Sequence, residues 1–298
     1  MKKVEDIHIL VIGDIMLDRY IIGDVTRVSN EAPVPIVNVT HEFSTLGGCG
    51  NVVRNIKELG ANVGCLASIG FDAAGSCILK QLADLEVDSF VVAASEKTTV
   101  KERIIADERK IQMLRLDREE TKIKRYDILM KEFEKIYLPY NMIVISDYAK
   151  GVISRQLMGV VNRAGPPFIV DPKPQNKDIY GKPFLMTPNE KETIEMGGSD
   201  ALISHGVKGV LETKGKNGMT LHDVDFSKDI SAEAVEIYNV SGAGDTVVAV
   251  MAVCLSLGID VLDSAKIANK CAGYVVTQPS TSVVPNDIFL KYASQYTH

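Results

Sequence analysis

The sequence predicts an α/β fold: a mostly parallel central sheet flanked by helices, with a small β lid. Three observations carry that expectation. Short apolar runs alternate with segments of helical period along most of the 298 residues, as repeated strand–helix units require. Two stretches, 20–43 and 98–116, break this alternation; EAPVPIVNV and TTVKERIIA within them have the period of strands instead. A chain of this length that is 46% hydrophobic can bury one large core, and no Gly/Ser-rich linker divides it. A single domain over residues 1–298, with 20–43 and 98–116 as lid segments, is therefore expected.

In chain order, core strands are expected at 7–13, 63–69, 89–93, 142–146, 168–171, 184–187, 207–213 and 219–222, where short apolar runs meet turn residues. Helices are expected at 51–59, 74–85, 124–137, 154–163, 190–196, 243–257, 264–276 and 286–295. In 124–137 the apolar Ile128, Leu129, Phe133 and Ile136 fall on one face, as in an amphipathic outer helix. The run from Val247 is apolar almost without interruption, as in a buried helix.

Composition removes several classes of function. A net charge of -6 and no dense Lys/Arg tract argue against a nucleic-acid partner. The longest apolar run, 247–259, falls short of the roughly 20 residues of a membrane helix. MKKVEDIHILVIGD meets Asp14 too soon for a signal peptide and reads as a strand. The five cysteines form no CxxC pair, which suits reduced thiols in a cytoplasmic protein, and all five are expected as small core residues. The five scattered histidines give no zinc spacing.

The strongest chemical signal is VSGAGDTVVAV. Gly242, Ala243 and Gly244 let backbone amides approach a ligand, and the following helix aims unpaired N–H groups at the same point, making an anion site. Asp245, in the first helical turn, is placed to accept a hydroxyl proton. The bland alternative is an acid that merely favours the helix dipole.

GAGDT, together with the Gly-Gly-x-x-Asn of LGGCGNVVRNIKELGA, resembles the ribokinase-like, or PfkB, family of carbohydrate kinases, over nearly the whole chain. The resemblance implies a ribokinase-like fold, with Asp245 as catalytic base and Gly242, Ala243 and Gly244 as the anion hole. It places Gly47, Gly48 and Asn51 on the sugar, with Asp14 and Asp18 of GDIMLD beside them as hydroxyl acceptors. TPNEKE resembles the family's Asn-x-x-Glu motif, which implies Asn189 and Glu192 near Mg²⁺ and the phosphates, with Glu192 holding the metal through water. ETKGKNGMTL resembles the nucleotide-facing strand and turn, which assigns Thr213, Gly215 and Gly218 to ATP; Lys191, Lys214 and Asn269 are further candidates there. The implied cofactor is Mg²⁺ with ATP.

TRVSNEAPVPIV, TTVKERII, QMLRLDREE and SDYAKG, followed by DPKP, resemble one branch of the family, the D-glycero-β-D-manno-heptose-7-phosphate kinases. The resemblance implies phosphorylation of heptose 7-phosphate to the 1,7-bisphosphate, in ADP-heptose biosynthesis. A phosphorylated sugar needs cations, and Arg27, Lys101, Arg103, Arg115 and Lys150 supply them in an otherwise acidic chain. Lys101 and Arg103 lead this group because strand alternation puts both on one face. The rivals are another sugar or nucleoside kinase, such as a fructokinase or ribokinase, and a non-catalytic binding regulator. A dehydrogenase would need a GxGxxG turn directly after a strand.

Three departures stand out. Asn239 replaces the family's usual Asp six residues before the base, and Ser280 a usual Gly, which leaves a monovalent cation uncertain. GGCGN replaces the branch's GGAAN at Cys49 and Gly50. The chain ends at His298 and is expected to hold no adenylyltransferase domain. Exposed lid strands are expected to pair two subunits into a homodimer.

Overall fold

The computed structural model describes residues 2–107, 111–119, 123–137, 139–233, 235–278 and 281–296. Ser280, Glu120 of the QMLRLDREE segment, and His298 lie outside the described residues.

The first strand, β1 (His8–Gly13), lies deep in a nine-stranded sheet. It pairs in parallel with β4 (Asn62–Ala67) on one side and β8 (Met142–Ser146) on the other. The parallel run continues from β8 through β9 (Phe168–Asp171) and β10 (Leu185–Met186) to β11 (Gly209–Thr213), and from β4 to β5 (Asp88–Ser89). Two antiparallel strands, β12 (Met219–Asp223) and β13 (Ser227–Ile230), close the far edge.

Both faces of the sheet are covered, so its strands read as continuous apolar runs. In β1, Ile9 and Val11 join one core while Leu10 and Ile12 join the other. The first core packs against α1 (Cys49–Glu58), α2 (Ala73–Asp84), α7 (Ala243–Ser256), α8 (Val261–Val276) and α9 (Asn286–Ala293). The second packs against α3 (Tyr126–Ile136), α4 (Arg155–Val161) and α6 (Ser199–Ser204). Every residue of α7 from Asp245 to Cys254 is buried, as its nearly uninterrupted apolar sequence requires. In α3 the amphipathic expectation holds, with Leu129 and Phe133 buried.

The lid is a second sheet of four strands, ordered β3 (Pro35–Gly48), β2 (Ile15–Val28), β6 (Val100–Ala106) and β7 (Ile111–Arg118). It begins five residues earlier than the expected 20–43, because Ile15, Met16 and Leu17 are all buried where the lid leaves the core, which hides the alternation. GDIMLD is accordingly the corner between β1 and β2. The expected strand at 89–93 shortens to β5 with an isolated bridge from Ser68 to Val92. The short α6 and β13 were not expected from the sequence. Four cysteines are buried as expected, but Cys77 is half-buried: on α2 it faces the lid, its Sγ 3.4 Å from the Ser44 hydroxyl.

Candidate active site

The strand order reverses between β1 and β8, and ligands of open α/β sheets bind at the carboxyl ends of strands at such a switch point. Asp14, directly after β1, bridges that point. Its carboxylate accepts backbone N–H bonds from Tyr148 (2.9 Å), Lys150 (3.0 Å) and Val152 (3.0 Å), all in the turn after β8. Burial pushes its carboxyl up to about 6, against the pull of those three bonds. Asp14 thus organises the β8 turn with its own oxygens.

Asp245 sits in the first turn of α7 and is buried. One carboxylate oxygen accepts from the Asn51 side-chain amide at 2.8 Å, and the other accepts from the Tyr148 hydroxyl at 2.8 Å. Burial raises its carboxyl to about 6; the two hydrogen bonds and the Lys101 ammonium oppose that rise, and Asp18 adds to it. An acid held there changes charge near neutral pH, which suits a group that takes and returns a proton.

The loop ahead of α7 is shaped for close approach. Gly242 caps the helix in the left-handed region (φ 85°), and a Cβ there would lie 2.8 Å from the Asn51 amide nitrogen. Gly48 (φ 58°) likewise starts α1, where a Cβ would meet the Met16 Cε at 2.8 Å. The expected sugar residues Asp14, Asp18, Gly47, Gly48 and Asn51 therefore collect where β1, β2, β3 and α1 meet.

The lid contributes the cations. Lys101 and Arg103 do share a strand, β6, beside the first half of β2. Arg103 forms a 2.7 Å ion pair with Asp18, both largely buried, and Lys101 lies over the Tyr148 ring at 5.4 Å. Burial lowers the Lys101 ammonium below its ordinary value. Arg115 stands directly across from Arg103 on β7 but is exposed and paired with Asp117 at 2.8 Å. The Lys150 ammonium pairs with Glu119 at 2.7 Å. Arg27 is not brought to this cluster: it is exposed, nine residues beyond Asp18 on β2, roughly 30 Å along an extended strand.

On the other side of Asp245 lies a cavity of about 500 Å³. Asn189, Thr213, Gly215, Gly218 and Asn269, five of the residues the resemblance assigns to nucleotide, line it, and Ala243 and Gly244 form its end nearest Asp245. Val235, Ile237, Val247 and Val276 give it apolar walls fit for a flat base. Asn269 also donates to the Ser231 carbonyl at 2.8 Å, fixing α8 to the segment after β13. Two expected nucleotide residues stand apart from this lining: Lys191 is exposed on α5 (Glu190–Glu195), and Glu192 lies just beyond. Lys214 turns back onto Glu212 at 3.1 Å, and Lys216 is the lysine that lines the cavity.

Glu192 closes a capping box with Asn189 at the start of α5 and pairs with Lys173. Asp171, at the end of β9, is pushed well above the usual carboxylate range by burial and by Asp245, with Lys173 pulling it down. Asn239 is committed to its own loop, accepting from the Ser241 N–H at 2.9 Å. Among the described residues no cluster of three metal-ligating side chains occurs, and no helix is long and apolar enough to cross a membrane.

Three residues of this site were not singled out from the sequence: Tyr148, Asp171 and Lys173. Tyr148 sits in SDYAKG, and Asp171 and Lys173 sit in DPKP. Their position at or just beyond the carboxyl ends of β8 and β9 was the available signal.

The chain is a carbohydrate kinase by family: it belongs to the pfkB family of carbohydrate kinases, whose pattern matches residues 6–287. Among curated proteins it is similar to the Bifunctional protein HldE of Caulobacter sp. (strain K31), 38% identical over 94% of this chain and 61% of that protein. The Bifunctional protein HldE of Rhodospirillum rubrum is 39% identical over 94% of this chain and 60% of its own length. The chain thus spans about three fifths of the curated relatives it matches. Its fold is shared by the tetrameric inhibited form of phosphofructokinase-2 from Escherichia coli, with a TM-score of 0.81 at 20% identity over 97% of this chain and 99% of that one. The same enzyme with fructose-6-phosphate gives 0.78 at 20% identity, covering 98% and 99%.

Proposed function

We propose that this protein transfers the γ-phosphoryl group of ATP to the anomeric hydroxyl of D-glycero-β-D-manno-heptose 7-phosphate, with Asp245 as the general base. The observation that carries the reading is the position of Asp245: a buried acid raised to about 6, with the apolar cavity on one side and the Asp18, Lys101 and Arg103 cluster of the lid on the other. The sugar lies under the lid against Asp14, Asp18 and Asn51, and its phosphate meets Lys101 and Arg103. ATP fills the cavity, its terminal phosphate at the amides of Gly242, Ala243 and Gly244.

Asp245 takes the hydroxyl proton as the sugar oxygen bonds to the γ-phosphorus. The bond from phosphorus to the β,γ-bridging oxygen breaks and ADP leaves with the electron pair. The glycine-loop amides at the start of α7 hold the charge on the transferring group. Glu192 and Asp171 would hold Mg²⁺ through the hard carboxylate oxygens that this ion prefers. Bound there, Mg²⁺ would neutralise phosphate charge.

The heptose branch is supported by the four resembling segments and by the similarity to the HldE proteins over 94% of the chain. Exposed apolar residues on the lid, among them Val28, Val39, Ile111 and Leu114, support a homodimer formed through it. Asn239, neutral and held by its loop, supports turnover that does not depend on potassium. The deciding experiment is ADP release measured over a panel of heptose 7-phosphate, fructose 6-phosphate, ribose and unphosphorylated heptose. A preference for heptose 7-phosphate is expected; equal use of the unphosphorylated sugar would remove the phosphate clamp from the reading.

A further inference from the structure

We propose that Tyr148 is a gate on Asp245: its hydroxyl occupies the place of the acceptor hydroxyl until a sugar phosphate displaces it, and so keeps water from taking the phosphoryl group. The proposal rests on the reading of Asp245 as the base. Both oxygens of that carboxylate are engaged, one by Asn51 and one by Tyr148, each at 2.8 Å. Asn51 donates from α1 to one oxygen and the phenol covers the other, so an incoming hydroxyl competes with the phenol for that oxygen.

The surroundings of the ring show what would release it. The Tyr148 backbone is pinned, because its N–H and those of Lys150 and Val152 all bond to Asp14. Its neighbour Ala149 is held at φ 54°, a conformation that costs an alanine energy and persists only where the surroundings enforce it. Only the side chain is left to move. Two ammonium groups stand against the ring, Lys101 from the lid at 5.4 Å and Lys173 from beyond β9 at 5.7 Å, both within cation–π range. Lys101 lies on the sugar side, and Lys173 is paired with Glu192 on the phosphate side. A sugar phosphate draws Lys101 off the ring and the ATP phosphates draw Lys173, so the ring loosens when both substrates are present.

The phenol itself remains a donor. Burial and the facing Asp245 carboxylate push it well above its ordinary value, with Asp171 adding to that push. The charged and titratable groups around Asp245 are Asp18 from β2, Lys101 from β6, Tyr148 from the β8 turn, Asp171 from β9 and the Cys49 thiol of α1. Without the phenol, a water oxygen can bond to the γ-phosphorus while its proton goes to Asp245; the bridging P–O bond breaks, and ADP and orthophosphate leave.

The test is ATP hydrolysis without sugar in Tyr148→Phe, Asp245→Asn and the double variant. Losing one hydrogen bond to a charged group corresponds to roughly a tenfold to hundredfold rise in hydrolysis for Tyr148→Phe, abolished in the double variant. The acid limb of its kcat/KM for the sugar is expected at higher pH, because in the free enzyme the phenol favours the ionised carboxylate. Hydrolysis at the wild-type level, with Asp245→Asn inactive as a kinase, overturns the gate alone. Full kinase turnover by Asp245→Asn overturns the base and the gate with it. The unaltered protein gives a second measurement: 1-deoxy-heptose 7-phosphate, which has no acceptor hydroxyl, is expected to stimulate ATP hydrolysis, and the absence of stimulation overturns the gate.

Discussion

Asn51 and Asp245, 194 residues apart in sequence, are joined by a 2.8 Å hydrogen bond from the Asn51 amide to the Asp245 carboxylate. Each lies in the first turn of its helix, so the bond brings the starts of α1 and α7 together. A second bond, from the Thr246 hydroxyl to the Asn55 side-chain oxygen at 3.1 Å, ties the next residue of α7 to α1 one turn further along. Two helix N-termini then meet at one corner, both positive dipole ends directed at it.

Replacing Asn51 with Ala removes a donor to the ionised form of Asp245. A hydrogen bond to a charged group contributes about 1.5–3 kcal/mol, so kcat is expected to fall roughly tenfold or more, with the acid limb of the pH–rate profile displaced upward. Steady-state kinetics between pH 5 and 8 check this. An unchanged limb would show that Asn51 does not act on the carboxylate.

Glycine at 242 is a matter of both conformation and room. Its φ of 85° is unfavourable for an L side chain, and a Cβ would lie 2.8 Å from the Asn51 nitrogen and 2.9 Å from the Thr281 methyl. Gly242→Ala is expected to cost about 1–3 kcal/mol of stability and to move Asn51 off Asp245, lowering kcat as well as Tm. Denaturant unfolding and turnover, measured together, test the pairing; a loss of stability with full kcat would separate them.

The ends of the site were legible in the sequence to different degrees. VSGAGDTVVAV carries its own chemistry, because glycines ahead of an apolar helix can serve an anion whatever the rest of the chain does. Asn51 and Asp14 were expected near the sugar, but not their partners: the bond from Asn51 to Asp245 and the grip of Asp14 on the β8 turn depend on sheet order. Tyr148 and Lys173 offered only their place after a strand, which marks the ligand-binding edge of the sheet without singling out a residue; the parallel pairing of β1, β8 and β9 brings them against Asp245 and Glu192. The lid showed its strand period at its outer end, where one face meets water, and lost it at Ile15, Met16 and Leu17, where burial on all sides erases the alternation.

Arg103 and Asp18 form a largely buried ion pair, in which removing one partner strands the other. Arg103→Ala is therefore expected to lower stability by on the order of 2–3 kcal/mol and to raise the KM for the sugar phosphate, leaving the KM for ATP unchanged. Adding Asp18→Asn removes the stranded charge and is expected to restore most of the stability but none of the sugar-phosphate affinity. Recovery of both would make Arg103 a structural partner only.

The elevated carboxyl of Asp245 also makes a claim about stability. Its folded value is about 6 against an ordinary 3.8, so the folded state holds the proton more tightly than the unfolded chain. The resulting stabilisation is fully present below 3.8 and is lost as pH rises through 6, amounting to on the order of 3 kcal/mol. Asp14, also raised to about 6, changes stability in the same direction, so the wild-type curve alone does not isolate Asp245. The difference between Asp245→Asn and wild type isolates the Asp245 corner, because Asn carries no charge and groups away from it cancel; Asp171, whose carboxyl Asp245 helps to raise, relaxes in the variant and moves the difference in the same direction. The Tm of the variant relative to wild type is expected to rise by roughly 5 °C between pH 4 and pH 7.5, while its kinase turnover falls by about a hundredfold or more. A difference in Tm that stays flat across that window would mean that Asp245 carries its charge without strain, and would remove the reason for expecting the acid limb of turnover near pH 6.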